Sequence, residues 1–152
     1  MVVFIKEIKL KPIGIIHSPY KSRSAAPFQG IISNKKSTIE VFDEYIPALK
    51  DIETFNYIII QYYAHEVTSF SLQTTTPWDT KSHGLFTTRS PYRPNSLLIC
   101  VVKLIERSGN RLVVKYLDAI DGSPLIDIKP YLPGIDKKDD ANSGWLEGKI
   151  KI

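Results

Sequence analysis

The chain of 152 residues has 43% hydrophobic and 24% charged residues, which excludes a disordered chain and favours one domain over residues 1–152. Its single cysteine, Cys100, excludes an internal disulfide and a cysteine-rich zinc site, and its longest apolar run, residues 97–102, is too short to span a bilayer. The net charge is +4 and no secretory signal is recognisable, so a soluble cytoplasmic protein is expected.

Short stretches of alternating or continuous apolar residues predict a mainly β protein. Residues 57–64 are apolar and β-branched, which is typical of a central strand. Ser108-Gly109-Asn110 lies between two strand-like runs and predicts a hairpin within residues 103–116. The other predicted strands are residues 9–17, 37–42, 85–88 and 97–105. This number of short strands predicts a β-barrel or a strongly curved sheet.

Residues 44–55 predict the one short helix of the chain. Asp43 is a suitable N-cap, and Pro47 lies in the first turns, where its missing N–H costs least. Polar residues separate apolar ones that recur every three positions, at Ile46, Leu49, Ile52 and Phe55. We expect an amphipathic helix that packs against the sheet.

The loop TTRSPYRPN, residues 87–95, combines two prolines with two arginines. Pro91 and Pro94 fix the backbone, so Arg89 and Arg93 would lose little entropy on binding an anion, and a guanidinium group suits a carboxylate or phosphate. The sequence therefore favours a preformed anion clamp. The alternative is a proline-rich connection whose arginines pair with nearby acids.

Two polar segments follow predicted strands. His65 and Glu66 come directly after residues 57–64, at a position suited to the rim of a pocket, where they could hydrogen-bond a ligand. The alternative is a histidine with its hydrogen bonds satisfied within the protein and a solvated glutamate. Residues 121–124, Asp-Gly-Ser-Pro, have the composition of a turn. They could be a plain β-turn, or Asp121 and the turn backbone could grip a polar ligand.

Some features are compatible with a nucleotide or RNA ligand. Residues 1–36 carry seven lysines and arginines against one acid, Glu7, which favours a polyanionic partner or a lysine-rich solvated surface. Phe28 could stack on a base while Gln29 reads its polar edge. The alternative is a core phenylalanine beside a surface amide.

The common cofactor and hydrolase motifs are missing, including the glycine fingerprint of dinucleotide-binding folds and the Walker sequence. Any cofactor site must therefore be built in another way. A metal site could combine Glu66 or Asp79 with the three histidines, His17, His65 and His83, but their spacing does not require one, and no metal is predicted.

Three segments in order resemble the signature blocks of the TsaA-like (TrmO) family: IGIIHSPY (13–20), GLFTTRSPYRPN (84–95) and LDAIDGSPLIDIKPYLP (117–133). The resemblance extends over about residues 8–135. It implies a single β-barrel domain with a C-terminal tail over residues 136–152, in the short form of the family. It also implies a homodimeric S-adenosylmethionine-dependent tRNA (adenine-N6)-methyltransferase, which acts on N6 of threonylcarbamoyladenosine next to the anticodon.

The resemblance also implies where S-adenosylmethionine binds. The family usually has Pro-Asn-Pro-Ile-Gly where this chain has Pro94-Asn95-Ser96-Leu97-Leu98, so Leu98 replaces a glycine and a narrower pocket is expected. The implied contacts are Pro27, Phe28, Gln29, His65, Glu66, Arg89, Ile99, Asp121, Gly122, Ser123 and Pro124.

Methylation of an amide-like nitrogen is helped by a base that removes its proton. The candidates are Asp121, Glu66 and His65. Our hypothesis gives Arg89 a ligand-positioning role and assigns the RNA backbone to Arg93, Lys21 and Arg23. Two alternatives remain open: a non-catalytic RNA-binding β-barrel, and a metal-dependent hydrolase that uses the histidines.

Overall fold

The computed structural model describes residues 6–152 and has a closed antiparallel barrel as its centre. Six strands close in the order β1-β2-β7-β6-β3-β8, and β4 pairs with β5 in a separate two-stranded sheet. The strands are β1 (Gly14–His17), β2 (Lys36–Val41), β3 (Tyr57–Tyr63), β4 (Gln73–Thr76), β5 (Asp79–Gly84), β6 (Leu97–Ser108), β7 (Arg111–Lys115) and β8 (Pro124–Pro130). The predicted mainly β barrel is confirmed.

Alternating side chains fill the barrel. On β3, Ile58, Ile60 and Tyr62 are buried, while the residues between them are partly exposed. On β6, Cys100 and Val102 are buried in the same way. This alternation is the period of two expected of a strand with one buried face. The core of the barrel is therefore built mainly from aliphatic side chains.

The predicted hairpin within residues 103–116 is confirmed. Strand β6 pairs with β7 across Gly109 and Asn110, and Gly109 has a φ of 61°, a left-handed conformation that glycine adopts without strain. The first predicted strand, residues 9–17, is shorter than expected and begins at Gly14.

The predicted helix over residues 44–55 is wrong in type and extent. Two 3₁₀ segments, Asp43–Leu49 and Ile52–Thr54, are separated at Asp51, whose φ of 68° interrupts the helix. An apolar spacing of three residues matches the three residues per turn of a 3₁₀ helix better than the 3.6 of an α-helix. Asp43 is also not the N-cap: that position is Phe42, which makes no side-chain capping bond.

Two further differences concern the segment before the TTRSPYRPN loop. Residues 85–88, predicted as a strand, contain the 3₁₀ turn Leu85–Thr87. The Oγ1 atom of Thr88 donates to the carbonyl of Leu85, a local bond that competes with strand pairing. The β4–β5 hairpin, by contrast, was not predicted from the sequence.

The only α-helix in residues 6–152 is α1, the single turn Pro133–Asp136. None of the helices in this part of the chain is long and apolar enough to cross a membrane.

Candidate functional site

Three long connections meet at one end of the barrel. Strands β1, β3 and β7 end there, and β2, β6 and β8 begin there, because neighbouring strands are antiparallel. The connections are residues 18–35, 64–96 and 116–123. They contain all the predicted site residues except Ile99 and Pro124, which lie at the adjoining ends of β6 and β8. The sequence blocks that looked separate are therefore neighbours in space.

A narrow cleft of about 90 Å³ opens among these connections. Two of its lining residues are paired: the hydroxyl of Tyr62 donates a hydrogen bond of 2.7 Å to Oδ1 of Asp118. Burial raises the pKa of Asp118 above its ordinary range, and it raises the pKa of Tyr62 as well. The lining residues are Arg23, Tyr62, Ala64, Glu66, Val67, Tyr92, Leu98, Asp118, Ile120 and Ser123.

Asp121 ties two of the connections together. Its Oδ1 accepts the backbone N–H of Ser18 at 3.0 Å, and its Oδ2 pairs with Nζ of Lys21 at 2.7 Å. The bond from Lys21, followed by that from Ser18, lowers the pKa of Asp121 below its usual value. A carboxylate with a lowered pKa is a weak base, so this geometry favours a binding role over proton removal.

The segment around Phe28 lies against β6. Gly30 packs so closely that a Cβ atom there would be 1.9 Å from the carbonyl oxygen of Tyr116 and 2.8 Å from Sγ of Cys100. Phe28 is 66% exposed, so the structure does not support the alternative of a core phenylalanine. Ile99 is 50% exposed on the outer face of β6, and any ligand that contacts it must lie outside the barrel wall.

The two arginines of the TTRSPYRPN loop have different environments. Nη1 of Arg93 donates to the carbonyls of Thr88 at 2.9 Å and Ser90 at 3.1 Å. The guanidinium group of Arg93 is therefore hydrogen-bonded within its own loop. Arg89 is exposed. Burial raises the pKa of the Cys100 thiol, and the nearby charge of Arg89 offsets this rise only in part. Arg89 is therefore better placed than Arg93 to meet a ligand.

Four other predicted residues with polar side chains at this end, His65, Glu66, Arg23 and Lys21, are exposed. His65 lies beside the turn at Gly122: a Cβ atom built on Gly122 would be 3.9 Å from Nε2 of His65. Glu66 lines the cleft. Arg23 also lines the cleft, with its guanidinium carbon 5.8 Å from the ring centre of Tyr92, whereas Lys21 is paired with Asp121.

The three histidines do not meet. His17 pairs with Glu40 at 2.8 Å and His83 with Asp79 at 3.0 Å. Within residues 6–152, no group of three or more His, Cys, Asp or Glu side chains is arranged to hold a metal ion. Nothing in this arrangement favours the metal-dependent hydrolase.

Sequence reasoning missed Tyr62 and Asp118. The available signals were a tyrosine on the inward side of a buried strand and an acid among Leu117, Ala119 and Ile120, all of which are buried. A carboxylate within an apolar run is rarely buried without a partner, and here Tyr62 supplies one.

The C-terminal tail packs onto the β4–β5 hairpin. The ring of Trp145 stacks on His83 with 3.5 Å between the ring centres, and its Nε1 donates to Oγ1 of Thr87 at 3.0 Å. Lys149 pairs with Asp79 at 2.7 Å. The tail therefore packs against β5 and against Thr87, the first residue of the loop that carries Arg89.

We expect this attachment to weaken in acid. The bond from Lys149 is the largest of the effects that lower the pKa of Asp79, which falls to about 2 from 3.8. Because the folded pKa is the lower one, the stabilisation is complete above about pH 4 and is lost as the pH falls towards 2. Urea midpoints of wild type and Asp79→Asn should therefore differ at neutral pH and converge near pH 2.

The control is Asp139→Asn, which loses an exposed pair with Lys137. Its urea midpoint should match that of wild type at every pH. A wild-type advantage over Asp79→Asn that persists at pH 2 would contradict this assignment.

Fold and site together define a closed six-stranded barrel whose loops at one end form a small cleft lined by both polar and apolar side chains. The chain belongs to the tRNA-methyltransferase O N-terminal domain family, which it matches over residues 15–137. The resemblance seen in the sequence is thereby confirmed. The barrel fold accounts for the absence of the glycine fingerprint of dinucleotide-binding folds, because that fingerprint belongs to a different architecture.

Relatives of known description agree with this assignment. The chain is 48% identical over 127 residues to an S-adenosyl-L-methionine-binding protein of Archaeoglobus fulgidus, covering 84% of this chain and 91% of that protein. It is 29% identical to the tRNA (adenine(37)-N6)-methyltransferase of Escherichia coli, covering 94% and 66% of the two chains. The crystal structure of TrmO from Pseudomonas aeruginosa superposes with a TM-score of 0.77 at 28% identity, covering 91% and 62%.

The chain is shorter than some of these proteins. It spans 38% of the length of a probable S-adenosyl-L-methionine-binding protein from the same Archaeoglobus species, to which it is 46% identical over 140 residues. It also spans 62% of the Pseudomonas protein.

Proposed function

We propose that this chain is an S-adenosylmethionine-dependent methyltransferase that acts on N6 of threonylcarbamoyladenosine next to the tRNA anticodon. The observation that carries the proposal is the convergence of residues 27–29, 65–66, 89 and 121–124 at one end of a barrel of the TrmO family. The archaeal relatives named for S-adenosyl-L-methionine binding support the cofactor, and the Escherichia coli relative supports the tRNA substrate.

The chemistry of the site suits S-adenosylmethionine. Phe28 offers an exposed ring for stacking, and Arg89 offers a guanidinium group to the carboxylate of the methionine moiety. The cleft of about 90 Å³ is smaller than the roughly 300–1,000 Å³ of ordinary ligand pockets, so most of the molecule would lie along the loops outside it. When bound, S-adenosylmethionine supplies an electrophilic methyl group.

RNA binding is supported by charge and aromatic exposure at the same end. Phe86 is exposed and stacks against the guanidinium group of Arg93, whose carbon is 5.7 Å from the ring centre. Tyr92 is exposed beside Arg23. Exposed aromatic rings next to cations are typical of surfaces that bind unstacked bases and phosphates. A cytoplasmic location follows from a tRNA substrate and is part of the proposal.

A homodimer is also part of the proposal. Leu97, Ile99 and Val101 point outwards from β6 and are between 40% and 50% exposed. This stripe of apolar side chains on a barrel wall is suited to burial against a second copy. A partner there would also enclose a ligand that contacts Ile99. We propose that each protomer is one barrel domain with its C-terminal tail.

The first test is a calorimetric titration of the protein with S-adenosylmethionine, followed by incubation with tRNA that carries threonylcarbamoyladenosine. We expect saturable binding and transfer of a labelled methyl group to the RNA. The alternative, a non-catalytic RNA-binding barrel, is favoured by Leu98, which lines the cleft in place of the family's glycine. That alternative predicts RNA binding without uptake of S-adenosylmethionine.

Arg89→Ala should weaken the binding of S-adenosylmethionine by about tenfold or more, because a charged hydrogen bond to a ligand carboxylate is worth about 1.5–3 kcal/mol. Arg111→Ala is the matched control, since Arg111 begins β7 at the opposite end of the barrel and pairs with Glu40. Calorimetry should give Arg111→Ala the wild-type affinity. Equal affinities for Arg89→Ala and wild type would remove Arg89 from the site.

A further inference from the structure

We propose that Asp118 is the base that takes the proton from the acceptor nitrogen, and that Tyr62 positions its carboxyl group. This inference rests on the proposed function and goes beyond the contacts that the family resemblance implies. Neither residue is among the predicted ligands of S-adenosylmethionine. Both line the cleft, together with Glu66 and Ser123 of that predicted set.

The fold aims Tyr62 into the cleft. Ile58, Ile60 and Tyr62 follow one another on the inner face of β3, and Tyr62 is the last, at the end of the barrel where the connections meet. The pairing of β3 with β8 shifts register between Gln61 and Tyr62, so the strand is irregular at this point. Irregularities of this kind often redirect a side chain next to an active site. Tyr62 is 3% exposed, and its hydroxyl reaches Oδ1 of Asp118.

The loop that carries Asp118 is held under strain. Tyr116, two residues earlier, has a φ of 71°, which is uncommon for a residue other than glycine. Its carbonyl oxygen accepts a hydrogen bond from the thiol of Cys100, with 2.9 Å between Sγ and the oxygen. Gly30 packs directly against the same oxygen. Backbone strain that the surroundings maintain occurs most often at functional sites. The strained turn thus places Asp118 against Tyr62 rather than leaving it in solvent.

The groups that face Asp118 determine its strength as a base. Burial raises its pKa, while the hydrogen bond from Tyr62 on β3, the Cys100 thiol on β6 and the charge of Arg23 from the first connection lower it. Glu66 and Tyr92 also line the cleft. The net shift is upwards, whereas the pKa of Asp121 is shifted downwards by Lys21. A carboxylate whose pKa is raised towards neutral pH is the more effective base.

The cleft is too small to enclose either substrate whole, so we assign it to their reacting ends. Its volume of about 90 Å³ is well below the roughly 300–1,000 Å³ of ordinary ligand pockets. In the reaction the bond between the methyl carbon and sulfur breaks, and its electron pair stays on sulfur. A bond forms between the methyl carbon and N6, and the N6 proton moves to the Asp118 carboxylate. Atoms and charge balance without any other reactant.

The test compares Asp118→Asn and Tyr62→Phe with the wild type, using labelled S-adenosylmethionine and tRNA that carries threonylcarbamoyladenosine. For Asp118→Asn we expect kcat to fall by about 10²–10⁴, the range for loss of a general base. The affinities for S-adenosylmethionine and for tRNA, measured by calorimetry, should stay within threefold of wild type. Asp127→Asn is the matched control, because Asp127 lies on β8, is 40% exposed and pairs with Lys129; its kcat should be unchanged.

Tyr62→Phe separates positioning from packing. The hydrogen bond from Tyr62 lowers the pKa of Asp118, so its removal should raise that pKa. The acidic limb of the kcat profile should therefore move to higher pH, with an unchanged affinity for S-adenosylmethionine. A purely structural role for Tyr62 would lower activity equally at all pH values.

The outcomes are distinguishable. If wild type methylates tRNA but Asp118→Asn retains kcat within threefold, the assignment of the base is wrong and the proposed function stands. The assignment is also overturned if Tyr62→Phe leaves the pH profile in place, a result that remains readable even if Asp118→Asn fails to fold. If wild type itself transfers no methyl group, the proposed function fails and the assignment of the base fails with it.

Discussion

Replacing Gly30 with alanine should lower the free energy of unfolding by about 1–3 kcal/mol, the usual cost of forcing an extra methyl group into a packed site. The added Cβ would overlap the carbonyl oxygen of Tyr116, which is backbone and cannot rotate away. Gly30 directly follows Phe28 and Gln29, so the affinity for S-adenosylmethionine should fall together with stability. Urea denaturation and calorimetry on the same protein would measure both effects.

Gly84→Ala is the control for this experiment. Gly84 has a φ of −57°, and nothing lies within 4 Å of the position of its Cβ atom. The free energy of unfolding of Gly84→Ala should match that of wild type within about 0.5 kcal/mol, as for other surface substitutions. A Gly30→Ala protein as stable as Gly84→Ala would show that the segment 27–32 does not pack against β6 and Tyr116 as described.

Asp121→Ala should weaken S-adenosylmethionine binding by about tenfold or more. The change removes the acceptor of the Ser18 N–H and the partner of Lys21, so the first connection loses its attachment to the turn at residues 121–124. The first connection and this turn both carry residues predicted to contact S-adenosylmethionine. A segment that is more mobile in the free protein loses more conformational entropy when the ligand binds. Asp121→Asn should lose less, because its amide oxygen can still accept from Ser18.

Asp127→Ala serves as the control for Asp121, since it removes a carboxylate paired with a lysine two residues away. Calorimetry should give wild-type affinity for Asp127→Ala and a graded loss from Asp121→Asn to Asp121→Ala. Equal affinities for all three variants would exclude Asp121 from the binding site.

Several barrel strands were predictable because their evidence is local. Residues 57–64 and 97–105 are nearly continuous runs of apolar and β-branched residues, which are typical of buried strands, and the glycine at 109 marks the hairpin. The helix over 44–55 was misjudged because a three-residue spacing of apolar side chains suits both 3₁₀ and α geometry. The sequence alone does not exclude the left-handed conformation of Asp51 that divides the segment.

The candidate site was predictable as a set of segments but not as an arrangement. Family resemblance predicted residues 27–29, 65–66 and 121–124, and closure of the barrel brings the connections that carry them to one end. The Tyr62–Asp118 pair was missed because its two members are 56 positions apart and each is unremarkable alone. Likewise, the sequence could not distinguish Arg89 from Arg93, because only the fold shows which guanidinium group is used by its own loop.

The most direct test of the proposed activity is mass spectrometry of nucleosides from tRNA treated with this protein and S-adenosylmethionine. The substrate should be tRNA that carries threonylcarbamoyladenosine and has not been methylated there. We predict that this nucleoside gains the mass of one methyl group, that the fragment spectrum places it on N6, and that heat-denatured protein gives no gain. A methyl group on any other nucleoside, or none at all with intact protein, would contradict the account.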